Sequence, residues 1–178
     1  MGYMKFKRLT ALFLLIVICS LFFVSCNKGA SGNTAGNKVG DICYTYTLEK
    51  IGGDGTDDIK YHRGSIVVIH FFGVWSGDIL DIDKIATNYD GEVKVFAIHS
   101  THESSKAPAF IEENYKNSKI TFLYDKRNGN AEDKYYTALG GTDTYPRTLI
   151  LDKNGVITFV KDGAPTYEEL VEAIKNSK

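Results

Sequence analysis

The chain has 178 residues, 43% of them hydrophobic, 12% aromatic and 24% charged; that is enough apolar surface for one core, too little length for two comfortable domains, and too many aromatics for a disordered body. Its formal net charge of −1 becomes about −4 once Lys5, Lys7 and Arg8 of the N-terminal segment are set aside, because 18 basic and 22 acidic residues remain. That balance argues against a nucleic-acid partner, which wants a basic face.

Residues 1–26 read as an export signal. Lys5, Lys7 and Arg8 form a basic leader, and Leu9 to Val24 is almost wholly apolar, yet shorter than the roughly 20 residues a spanning helix needs. The run ends in Phe22-Phe23-Val24-Ser25-Cys26, which resembles a bacterial lipobox: apolar residues, a small residue, then the cysteine whose thiol accepts diacylglycerol. Phe23 stands where leucine is usual. The alternatives are an ordinary signal peptide cut elsewhere and an uncleaved anchor. Residues 27–38 hold no large apolar side chain and are expected to be a flexible tether, leaving 39–178 as the folded domain. Cys19 leaves with the signal and Cys26 takes lipid, so Cys43 is the one free thiol of the mature chain and no internal disulfide is expected.

In the folded part, residues 43–49 and 58–62 flank a glycine-rich turn at 52–55 and predict a hairpin. Residues 65–72 form a continuous apolar run, as in a strand buried on both faces. Ile79, Ile82, Ile85, Ala86 and Tyr89 fall at helical spacing. A strand is predicted over 92–99, a helix over 105–115 with Pro108 in its first turn, a strand over 120–124 and a short helix over 131–139. Strands at 147–151 and 156–161 flank the tight turn Asp152-Lys153-Asn154-Gly155, and Thr166 with Glu169 forms a capping box for a last helix. The order β-β-β-α-β-α-β-α-β-β-α predicts an α/β fold with a mixed central sheet flanked by helices and an N-terminal hairpin extension. The terminal antiparallel hairpin argues against a wholly parallel flavodoxin-like sheet.

Two segments carry a family resemblance. Phe71-Phe72-Gly73-Val74-Trp75-Ser76 follows a buried strand and opens a helix; it resembles the thioredoxin-superfamily segment Phe-Trp-Ala-x-Trp-Cys-x-x-Cys. Tyr145 to Gly155 resembles that superfamily's cis-proline strand and the turn after it. Gly40 through Leu48 is similar to the entry strand of its envelope-anchored branch, the membrane-tethered thiol–disulfide oxidoreductases and redoxins. The resemblance covers about 39–178 and implies a thioredoxin-like fold. It also exposes a departure: Ser76-Gly77-Asp78-Ile79 stands where Cys-x-x-Cys is expected. Disulfide exchange requires a thiolate attacking sulfur, which neither Ser76 nor Ile79 supplies. The family's catalytic-face glutamate would fall at Ile82 and is absent too. What the resemblance leaves is a binding groove at Trp75, Ser76, Tyr145 and Pro146, across which a partner segment pairs its backbone beside Tyr145.

Several side chains admit two readings. Ser76 is a degenerate nucleophile or the cap of the helix that starts there, a role Asp78 would reinforce. Cys43 is a redox thiol acting in trans or a small apolar filler. Trp75 is a groove wall or packing under the helix. His99 and His102 form a weak metal-ligand candidate at a strand end, where α/β sheets place ligands; His70, inside an apolar strand, reads as a hydrogen-bonded core histidine. Asp78, Asp81 and Asp83 read as a solvated helix face. The first functional expectation is a redox-inactive, lipid-anchored protein on the extracytoplasmic face of a bacterial membrane, with no cofactor, binding an extended segment of an envelope protein or peptide. The second is an oxidoreductase acting through Cys43 or a partner thiol, and the third an envelope metal binder.

Overall fold

The structure, a computed structural model, describes residues 34–75, 77, 79–100, 104–125, 134–142 and 145–178. The export signal, Cys26, Ser76, Asp78 and His102 therefore lie outside the described residues.

Nine strands are described: β1 (Ala35–Gly36), β2 (Ile42–Cys43), β3 (Thr47–Lys50), β4 (Thr56–Asp58), β5 (Ile66–Phe72), β6 (Val93–His99), β7 (Thr121–Tyr124), β8 (Arg147–Leu151) and β9 (Ile157–Asp162). The helices are α1 (Ile79–Asn88), α2 (Ala107–Asn114), α3 (Lys134–Ala138) and α4 (Tyr167–Asn176), with 3-10 turns at Ile59–His62 and Ser104–Lys106. Seven strands form one sheet in the order β4-β3-β7-β6-β5-β8-β9. The β5, β6 and β7 strands are parallel, while β8 and β9 close one side antiparallel and the β3–β4 hairpin closes the other. This is the predicted mixed sheet with its N-terminal hairpin.

All seven residues of β5 are buried, as its unbroken apolar run predicts. Their alternation feeds two cores. Ile66, Val68 and Phe72 face α1 and α4 through Ile79, Ile82, Ile85, Leu170 and Ile174. Val67, Ile69 and Phe71 face the other layer, built from Cys43, Ile59, Tyr135, Tyr136 and Leu139. His70 is fully buried and its Nδ1 lies 2.9 Å from Thr148 Oγ1 on β8, the hydrogen-bonded core histidine the sequence predicts. The capping box at Thr166 and Glu169 opens α4 as expected.

Three expectations change. Residues 34–38, assigned to the tether, are tied into the domain: the Ile42 N–H donates to the Thr34 carbonyl (2.9 Å), and the Asn37 amide donates to the Ala138 carbonyl (3.3 Å). Small polar groups hold this segment, so hydrophobic patterning does not reveal it. The single strand predicted over 43–49 is two, β2 and β3, separated at Tyr44–Tyr46. The hairpin's second arm is Thr56–Asp58, and the run 58–62 is mainly a 3-10 turn, because the Asp58 carboxylate accepts the Lys60 N–H (3.0 Å) and caps it.

Candidate functional site

The carboxyl end of β5 runs into Gly73, Val74 and Trp75 before α1 begins. Because β8 is antiparallel to β5, with Phe71 opposite Arg147, Pro146 and Tyr145 continue toward that same end of the sheet. The Tyr145–Pro146 peptide is cis, as the resemblance implies. Trp75 is 62% exposed, so it is not packing under the helix, and Leu80 on the first turn of α1 is 56% exposed beside it in sequence. The indole is supported from below. A Cβ on Gly73 would lie 2.6 Å from the Trp75 ring, so the ring rests on bare backbone that an alanine, the usual residue of the pattern, would occupy.

The cis-proline side is braced by residues that sequence reading passed over. The Tyr145 ring stacks on Tyr136 at 4.4 Å between centroids and 15° between planes. Its hydroxyl donates to the Ser100 carbonyl (2.7 Å) and lies 3.0 Å from Ser100 Oγ, at the end of β6. Tyr136 lies flat only because Gly141 has no side chain, a Cβ there falling 2.5 Å from the ring. The start of α3 is held by buried Asp125, whose carboxylate accepts the N–H groups of Tyr135 (2.9 Å) and Tyr136 (2.7 Å); a carboxylate at a helix N-terminus is favourable. Arg147, buried behind Pro146, donates from Nε to the Leu139 carbonyl (3.1 Å) and pairs with Asp162, placing a cation at the end of α3. The one sequence signal was a charge at the head of an apolar strand.

Cys43 lies elsewhere. Its N–H donates to the Gly155 carbonyl (2.9 Å), and it lines a small enclosed pocket with Ile59, Arg63, Val67, Leu151 and Gly155. That pocket is at the amino end of β5, about 17 Å of strand from Phe72 at the usual rise per residue. The thiol is 4% exposed and 3.9 Å from the Tyr135 hydroxyl. Burial pushes its pKa up to about 12, against a smaller lowering by the Tyr135 hydrogen bond. A thiol held neutral and enclosed does not start disulfide exchange at neutral pH. Burial likewise drives the Tyr135 phenol well above its ordinary value, helped by Cys43.

The remaining candidates are dispersed. Ile79 and Ile82 are core residues with no exposure. His99 is buried edge-on between Phe72 (5.3 Å) and Tyr124 (6.3 Å), and among the described residues no group of three or more His, Cys, Asp or Glu side chains is placed to hold a metal ion. Asp81 pairs with Lys84 (2.7 Å), and Asp83 accepts from Ser118, so it is more than a solvated charge.

No protein-family model matches the chain, and no curated protein matches it in sequence. Solved structures do match in fold. A DsbF homologue from Corynebacterium diphtheriae superposes with a TM-score of 0.65 at 18% identity, over 85% of this chain and 96% of its own. The pneumococcal exposed lipoprotein thioredoxin Etrx1 from Streptococcus pneumoniae gives 0.63 at 19%, over 75% and 99%. A thioredoxin-family thiol:disulfide interchange protein from Chlorobium tepidum gives 0.62 at 12%, over 81% and 98%. With these superpositions and its mixed seven-stranded sheet, this chain has the thioredoxin-like fold.

Proposed function

We propose that this protein is a lipid-anchored, extracytoplasmic member of the thioredoxin-like redoxins that has given up disulfide exchange and keeps the fold's groove for docking an extended segment of an envelope protein. The observation that carries this reading is the pairing of an exposed Trp75 with a cis-Pro146 edge in a chain whose Cys-x-x-Cys positions read Ser76-Gly77-Asp78-Ile79. Without two thiols there, electrons have no path between disulfides, and Cys43 lies at the far end of the sheet with its thiol held neutral. An extended segment gains affinity from main-chain pairing and from one large apolar wall, neither of which needs sulfur. Anchorage is supported by the lipobox-like run ending at Cys26 and by the exposed lipoprotein thioredoxin that shares the fold.

Insulin-disulfide reduction with dithiothreitol tests the redox half. The protein is expected to give no turnover above background, while the double variant Ser76→Cys, Ile79→Cys gains it; turnover by the unaltered chain overturns the reading. A photo-reactive residue placed at Tyr145 in intact cells tests the docking half. One defined adduct that disappears in the Trp75→Ala variant is expected, and an adduct indifferent to Trp75 rejects it.

A further inference from the structure

Residues 34–43 form a small folded loop. The Ile42 N–H donates to the Thr34 carbonyl (2.9 Å), the Asp41 N–H to the Lys38 carbonyl (3.0 Å), and the Asp41 carboxylate accepts the Lys38 N–H (3.0 Å). Gly36 has to be bare, because a Cβ there would overlap that carboxylate. One side of the loop is fastened to β9 and the turn before it. The Gly40 N–H donates to the Ile157 carbonyl (2.8 Å), the Ile157 N–H to the Asp41 carbonyl (2.9 Å) and the Cys43 N–H to the Gly155 carbonyl (2.9 Å). The other side holds out Asn37, whose half-buried amide donates to the Ala138 carbonyl (3.3 Å). Ala138 is the last residue of α3, and α3 carries Tyr136 beneath Tyr145. A helix of five residues cannot hold an orientation of its own, so α3 is placed by what its ends are fastened to. Asp125 holds its start. The last carbonyls of a helix have no partner within it; here those of Ala138 and the following Leu139 take the Asn37 amide and Arg147 Nε. The two side chains meet over Gly140, where a Cβ would stand 3.2 Å from Arg147 Nη2 and 3.3 Å from Asn37 Nδ2.

We infer that Asn37 is a positioning residue for the cis-proline edge, and that residues 34–43 are a clip joining the tether to the groove. The contacts run from Asn37 to the end of α3, from Tyr136 within α3 to Tyr145 through their 4.4 Å stack, and from Tyr145 to Pro146. Asp125 follows β7 and Arg147 heads β8, so both belong to the sheet; Asn37 alone of the three reaches α3 from the segment that follows Cys26. The bonds of Gly40, Asp41 and Cys43 to β9 and its turn lie beyond Asn37 along the chain. A pull or a cut on the tether therefore frees Asn37 first, with the rest of the domain still seated. Tyr136 then loses one of its supports, and Tyr145 with it. An edge that is held in place binds an extended segment without first having to be ordered, so docking is strongest while the clip is closed. The coupling needs no docked partner; its consequence for docking rests on the groove reading proposed above.

Hydrogen exchange and NMR on the full chain decide it. The amides of Leu139, Gly140 and Gly141 bond to the carbonyls of Tyr135, Thr137 and Tyr136. In Asn37→Ala their exchange should quicken about fivefold, the factor one neutral hydrogen bond is worth, while the amides of β5 and β6 keep their rates. The Tyr145 ring protons, shielded by the stacked Tyr136, should move downfield in the same variant. Thr166→Ala is the control for general loosening: it removes the cap of α4, which packs in the opposite core layer from Tyr136, and should leave both readouts as they were. Exchange at Leu139 to Gly141 that is unchanged, or that quickens only together with β5 and β6, overturns the clip, as does a Tyr145 ring that does not move. For docking, a photo-reactive residue at exposed Leu80 in intact cells should give an adduct whose yield falls by a similar factor in Asn37→Ala. An undiminished adduct beside a loosened Tyr145 overturns the control of docking by the clip. No adduct in the unaltered chain rejects the groove reading itself and leaves the clip to be judged by exchange alone.

Discussion

Trp75 and Cys43 occupy opposite ends of the same buried strands, and their exposure is the reverse of what a disulfide exchanger needs. The indole stands in solvent on a glycine, over a turn that carries no sulfur; the thiol is sealed among Ile59, Val67 and Leu151 with its proton held. The exposed indole and the buried thiol are thus separated in this fold. Here the cis-proline edge is braced by Tyr136, Ser100 and Arg147, while the Cys43 thiol lies within the core.

The sharpest way to break this contrast is to attack the bracing. Arg147→Ala removes a buried cation with its bond to the Leu139 carbonyl and its pair with the half-exposed Asp162, and is expected to cost about 1.5–3 kcal/mol in denaturant unfolding, the range for a hydrogen bond to a charged group. An unchanged midpoint would mean that the edge does not depend on it. Next come two glycines. Gly141→Ala drives a methyl into the ring of Tyr136, which is 3% exposed and cannot retreat, so a loss of about 1–3 kcal/mol is expected. Gly73→Ala meets the indole just as closely, but that ring can swing into solvent; stability should stay within about 0.5 kcal/mol while the emission of Trp75 changes. Equal costs at the two sites would erase the distinction between a fixed edge and an adjustable wall.

The thiol contributes a pH-dependent effect. The folded state keeps Cys43 protonated up to about pH 12, whereas the unfolded chain releases that proton near 9. Above pH 9 the unfolded state therefore binds fewer protons, and stability falls as pH rises, by at most about 1.4 kcal/mol per pH unit. Below pH 9 this contribution is flat. Unfolding midpoints at pH 8 and 10, each compared with Cys43→Ala to cancel Tyr135, should show the drop only in the unaltered chain.

Much of the scaffold was legible because its cues are local: the apolar run at β5, the helical spacing from Ile79, the turn at Asp152 to Gly155, the capping box at Thr166, and Pro146 after Tyr145. The N-terminal layer was not. Its residues are held by Asn37, Asp41 and the carbonyls of Gly155 and Ile157, polar partners far apart in sequence that leave no periodic trace. The bracing of the candidate site escaped for the same reason, since Asp125 caps a helix ten residues away and Tyr145 finds Ser100 across the sheet. At Gly73, substitution of the pattern's alanine was visible, but its meaning required the position of the indole.

The rims of the sheet carry one more consequence. The β4 strand has only three residues, two of them aspartates, while the start of β9 at Ile157 is paired by Gly40 and Asp41 and its far end is Lys161 and Asp162. Short, charged or overlaid borders discourage strand addition between copies. Under the proposed lipid anchorage, molecules held in a plane would meet at high effective concentration, where such blunt borders guard against zipping into fibrils.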